Sequence, residues 1–115
     1  MRLGLTILVV LAVAATPAGA ATYACRGPVT DVSIVQNGTV VFSGSGGISA
    51  GYICQIGATT NGIGPETCKI IYANLLAARQ TNTPVATYFN DNLTCTTQPS
   101  WNWLTGVYFG PGPGF

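Results

Sequence analysis

Two sets of residues in this 115-residue chain could do chemistry. The first is aromatic and amide-rich: Tyr88, Asn90, Asn92, Trp101, Asn102 and Trp103, interspersed with threonine and serine. Aromatic faces stack on the apolar faces of sugar rings, and amides and hydroxyls bond sugar hydroxyls, so this mixture suits a glycan-binding surface. The same tryptophans suit a core or a subunit contact, because large aromatics dominate the energetics of both. The second set is four cysteines, Cys25, Cys54, Cys68 and Cys95. An even count in a small exported domain reads as two disulfides. Three pairings are open to them; we favour Cys54 with Cys68 and Cys25 with Cys95.

Other chemistries lack their residues. The chain has no histidine, which removes imidazole acid–base catalysis and Ser-His or Cys-His nucleophiles. Asp31, Glu66 and Asp91 fall at a strand start, a helix start and a loop, and nothing in their spacing pairs two carboxylates for catalysis. A metal site would compete with disulfide formation for its thiols. The glycine-rich run from Ser43 to Gly51 lacks the Lys-Ser/Thr ending of a phosphate-binding loop and reads as a turn between strands. Asn37-Gly38-Thr39 and Asn92-Leu93-Thr94 match the glycosylation acceptor pattern, although the first is better explained by a turn. We therefore expect no enzyme, no catalytic residue, no cofactor and no metal.

Charge narrows the partners. Arg26, Lys69 and Arg79 balance the three acids, so no basic stripe is available for phosphates and nucleic acid is not expected. A surface near zero net charge tends to associate, which suggests a homo-oligomer.

The start of the chain reads as an export signal over residues 1–20. Met1 and Arg2 form the charged end, Leu3 to Ala15 is the apolar run, and Ala18-Gly19-Ala20 is the cleavage pattern. The run is shorter than the ~20 residues that span a bilayer, so no stable membrane insertion is expected. The expected location is secreted or periplasmic. The remaining residues suffice for one small core that needs staples. A single domain over 21–109 and a flexible Gly/Pro tail over 110–115 are expected.

Within that domain, Val29 to Ser43 reads as a hairpin about Asn37-Gly38, the dipeptide of a two-residue type I′ turn. That turn would pair Gln36 with Thr39, Val35 with Val40, Ile34 with Val41 and Ser33 with Phe42. Tyr52 to Ile56 reads as a third strand. Gly64-Pro65-Glu66 then opens a helix that Arg79, Asn82 and Pro84 bring to an end. Cys68, Ile71, Leu75 and Ala78 share the face expected to meet the sheet. Pro84 to Asn90 alternates as a strand, with Val85, Thr87 and Phe89 on one side and Ala86 and Tyr88 on the other. Trp101 to Phe109 completes the set as a last strand.

Three features together resemble the B subunits of subtilase cytotoxin and related pertussis-like bacterial toxins. These are Tyr52-Ile53-Cys54, the helix from Ile70 to Arg79, and the segment Thr81 to Phe89. The resemblance implies a mainly β fold with one helix, an OB-type small barrel stabilised by disulfides. It further implies ring pentamers that bind cell-surface glycans, with the helix facing the ring centre. At the positions where such subunits hold sialic acid with a serine and a tyrosine, this chain carries Arg26 and Phe89. The expected function is a secreted, non-enzymatic, glycan-binding module. The rival is a structural or protein-interaction component of the cell envelope.

Overall fold

The computed structural model describes residues 22–113 together with Gly4, and side chains as far as Val107. The expected export signal therefore lies outside the described residues apart from Gly4. Seven strands and one helix follow in chain order: β1 (Tyr23–Gly27), β2 (Val29–Ile34), β3 (Thr39–Gly44), β4 (Ile48–Gln55), α1 (Pro65–Thr81), β5 (Val85–Phe89), β6 (Asn102–Trp103) and β7 (Val107–Pro113).

The chain is mainly β with one helix, and its strands form two sheets. One has the order β1-β5-β7 and the other β2-β3-β4-β6. All pairings are antiparallel except β4 with β6. No closed barrel is found among the described residues. Two bent passages of chain join the sheets, since only Pro28 separates β1 from β2 and only Leu104 to Gly106 separate β6 from β7. Buried Ser45 braces the first corner from inside, its hydroxyl donating to the Cys25 carbonyl at 2.5 Å.

The hairpin is present but its register differs from the expected one by a residue. Ile34 pairs with Val40, Ser33 with Val41 and Val32 with Phe42. The loop has three residues instead of two, closed by the Gly38 N–H donating to the Val35 carbonyl at 2.8 Å and Val35 N–H to Thr39 at 2.9 Å. Only Gly38 takes positive φ, at 87°, while the Asn37 side chain accepts from the Thr39 N–H and hydroxyl. This is a turn closed by a left-handed glycine, the usual three-residue solution. A one-residue slip moves every side chain to the opposite face. Val32, Val40 and Phe42 thereby enter the core together, and Ser33 turns to solvent.

Helix α1 buries Cys68, Ile71, Leu75 and Ala78, the face expected from helical spacing. Pro65 occupies its first turn, and Asn82 ends it in the left-handed conformation, donating its N–H back to Arg79. The helix packs on β2, β4 and β7. Disulfide Cys54–Cys68 fastens β4 to its first turn, and Cys25–Cys95 fastens β1 to the loop after β5.

Two strand limits depart from expectation. The third strand begins at Ile48 rather than Tyr52, absorbing part of the glycine-rich connector. The last strand breaks into β6 and β7, and β7 continues through the expected tail to Pro113, where it pairs with Val85. Proline lacks a donor but is tolerated at a sheet edge, and β7 is an edge strand of its sheet.

Candidate functional site

The expected glycan-binding residues separate into two places. Tyr88 lies on β5, directly opposite Ala24 of β1. Val85, Thr87 and Phe89 are buried, so strand alternation leaves Tyr88 half-exposed on the other face. Arg26 reaches it from β1. Its guanidinium carbon sits 5.5 Å from the centroid of the Tyr88 ring, and Nη2 donates to the phenol oxygen at 3.2 Å. This geometry combines a cation–π contact with a hydrogen bond. Beside it opens a cleft of about 200 Å³ lined by Thr22, Tyr23, Ala24 and Tyr88. That is below the ~300–1,000 Å³ of drug-sized pockets and leaves room for a small group only.

Phe89 is turned away from this cleft. It is fully buried, stacked on Tyr23 with ring centroids 5.4 Å apart. The aromatic of β5 that lines the cleft is therefore its neighbour Tyr88. Asn90 and Asn92 are exposed just beyond the strand, and the Asn90 N–H donates to the Gly106 carbonyl at 2.9 Å.

The second place is on the other sheet. Trp101 is exposed, Asn102 is exposed and accepts from the Trp103 N–H through its side-chain oxygen, and Trp103 is half-buried, edge-on to Tyr52 at 5.7 Å. The residues with candidate roles thus do not form one continuous site.

Behind the cleft lies a polar cluster that sequence spacing does not reveal. The Tyr23 hydroxyl donates to Asp91 Oδ1 at 2.5 Å, and the Gln98 amide donates to the Tyr23 oxygen at 2.7 Å and to Asp91 Oδ2 at 2.9 Å. The Leu93 N–H completes the carboxylate's shell at 3.0 Å. Gly106 lies so close that a Cβ there would collide with the Asp91 carboxylate. Asp91 and Gln98 lie 68 and 75 positions from Tyr23 in the chain. The available signal was the Cys25–Cys95 pairing, which places residues near 23 beside residues near 95.

The cluster shapes both ionisations. Burial raises the Tyr23 phenol, assisted by its bond to Asp91, to about 12. Burial alone would also raise Asp91, but donors from Tyr23, Gln98 and Leu93 outweigh it and hold the carboxyl below its ordinary value. An acid lowered on folding adds stability above its unfolded pKa of ~4 and loses it as pH falls through the folded value. A phenol raised on folding adds stability below pH ~10 and loses it as pH climbs towards the folded value. The melting temperature is therefore expected to fall on both the acid and the alkaline side. Asp91→Asn should flatten the acid limb, and Tyr23→Phe the alkaline limb. Unchanged limbs in both variants would contradict the assignment.

A second groove of about 220 Å³ runs between α1 and β5, lined by Asn74, Ala77, Ala78, Thr81, Thr83 and Val85. It holds none of the candidate residues and no aromatic or charged side chain. Among the described residues there is no cluster of three or more His, Cys, Asp or Glu that could hold a metal ion. No described helix is long and apolar enough to cross a membrane. No family model matches the chain, and none of the curated proteins or solved structures matches it.

Proposed function

We propose that this chain is a secreted, non-enzymatic binding module that holds a carboxylate-bearing sugar at the Arg26–Tyr88 corner. The observation that carries the reading is a tyrosine ring, half-exposed beside a cleft for a single sugar, with a guanidinium stacked against it. Tyr88 and Thr22 bring a phenol and a hydroxyl to the cleft wall, and Arg26 matches a carboxylate in charge and shape. Two disulfides and the export-signal pattern of residues 1–20 support secretion.

The strand order supports an OB-type barrel. With β1 and β2 taken as one bent strand and β6 and β7 as another, the neighbours run β1/β2, β3, β4, β6/β7, β5 and back to β1. That order is the one expected of a five-stranded OB-type barrel with its helix between the third and fourth strands, the arrangement that the resemblance implies. Assembly into a ring of identical subunits belongs to the same proposal. The solvent side of α1 supports it, since Ile70 is 62% exposed with Ala73 and Ala77 exposed nearby. That apolar surface also favours the rival reading, an envelope protein that uses α1 to contact another protein.

A glycan array tests the function. Binding to sialylated glycans is expected, and silence across the array together with capture of one defined protein partner would favour the rival. In a direct titration Arg26→Ala should weaken sialylated ligand about tenfold or more, the scale of a lost charge-assisted hydrogen bond. The melting temperature should stay near the parent's, as for other exposed substitutions. Native mass spectrometry should return a closed oligomer, pentameric on the toxin-subunit likeness. A strict monomer would remove the ring.

A further inference from the structure

We infer that Trp101 is the platform of a second, separate site for an uncharged sugar ring, an inference that rests on the sugar-binding reading of the chain. Trp101 is the most exposed of the described large hydrophobic residues, at 68%. Its backbone sits at φ 54°, the left-handed region that is a genuine outlier for a bulky side chain. The conformation is held in place, because its N–H donates to the Ala50 carbonyl at 2.8 Å and Ala50 itself lies at φ 48°. Glycine or asparagine would occupy such a turn without strain. Tryptophan there carries two costs, backbone strain and an exposed indole, and no described contact of its ring offsets either. Strain of this kind, maintained by surrounding structure, is characteristic of ligand clamps.

The chemistry around the ring selects the ligand. Asn102 uses its side-chain oxygen on the Trp103 N–H, which leaves its Nδ2 hydrogens to meet ligand hydroxyls. Trp103 is fixed against Tyr52 on the paired strand. The chain carries no charged residue from Val40 to Pro65 and none after Asp91, so β4, β6 and the turn leading into β6 are all uncharged. An indole face with amide donors and no charge fits a neutral pyranose, in contrast to the cationic Arg26–Tyr88 corner. The two places lie on different sheets, so one chain could engage two sugars at once.

Tryptophan emission of the full chain, titrated with lactose, cellobiose and N,N′-diacetylchitobiose to millimolar concentration, reads the site. At least one neutral disaccharide is expected to shift the emission saturably. Trp101→Gly should abolish that response while melting at or above the parent temperature, since glycine relieves the strain. Arg26→Ala should leave the response unchanged, which separates this site from the cationic corner even if sialylated ligands fail to bind. The proposal is overturned by any of three results: no neutral disaccharide shifts the emission, Trp101→Gly melts several degrees lower because its ring packs structurally, or Arg26→Ala loses the response equally.

Discussion

Replacing Cys25 and Cys95 together by alanine is expected to destabilise the protein by about 4 kcal/mol, against about 3 kcal/mol for the same change at Cys54 and Cys68. The ordering follows from chain entropy, because the first bridge spans 70 residues and the second 14. Small domains hold only about 5–15 kcal/mol in total, so the first loss removes a quarter or more of the stability. The effect should reach the proposed sugar site as well. Cys95 belongs to the loop that carries Asp91 and Gln98, and those two hold the Tyr23 hydroxyl that backs the cleft. Urea denaturation of the two double variants measures the ordering. An equal or larger loss for Cys54 and Cys68 would contradict it.

The second large effect contrasts neighbours on β5. Phe89→Ala is expected to cost about 4 kcal/mol, because it empties a fully buried aromatic site and leaves Tyr23 without its stacking partner. Tyr88→Ala, one residue earlier on the half-exposed face, is expected to cost far less stability and to remove binding at the corner. Phe89→Tyr makes the same distinction from the other side. It supplies the tyrosine that the proposed likeness implies at this position, but buries its hydroxyl in the core at a cost of about 1–3 kcal/mol if unpaired. It should gain no affinity for sugar. Thermal denaturation beside ligand titration checks all three. Loss of binding in a stable Phe89 variant with unchanged binding in Tyr88→Ala would reverse the assignment of the two aromatics.

Much of the framework was legible because local patterns set it. Pro65, Glu66 and the spacing of Cys68, Ile71, Leu75 and Ala78 encode the start and buried face of α1, and alternation along Val85 to Phe89 places Val85, Thr87 and Phe89 in the core, while Ala86 on the Tyr88 side is buried as well. The hairpin was legible as a hairpin, but its register was not. Asn-Gly serves both a two-residue and a three-residue loop, and the choice here rests on the Asn37 side chain accepting from Thr39. The break between β6 and β7 has Gly106 as its one local marker, and Leu104 turns inward there to fill the core while the other residues continue a strand-like composition.

The candidate site was legible in residue type and not in arrangement. Tyr88 and the tryptophans read as one aromatic surface along the chain, whereas the sheets divide them. Arg26, which completes the Tyr88 corner, lies 62 positions away and becomes its neighbour only through the pairing of β1 with β5. The Tyr23–Asp91–Gln98 cluster is non-local in the same way. Its members have ordinary spacing in the sequence and come together because strand pairing and the Cys25–Cys95 bridge fold the loop back on β1.

The most direct measurement of the central claim is a two-dimensional amide spectrum of the isotope-labelled chain titrated with sialyllactose. Saturable shifts concentrated at Thr22, Ala24, Arg26 and Tyr88 are expected, absent in Arg26→Ala. No shifts at all, or shifts confined to the solvent side of α1, would contradict that claim.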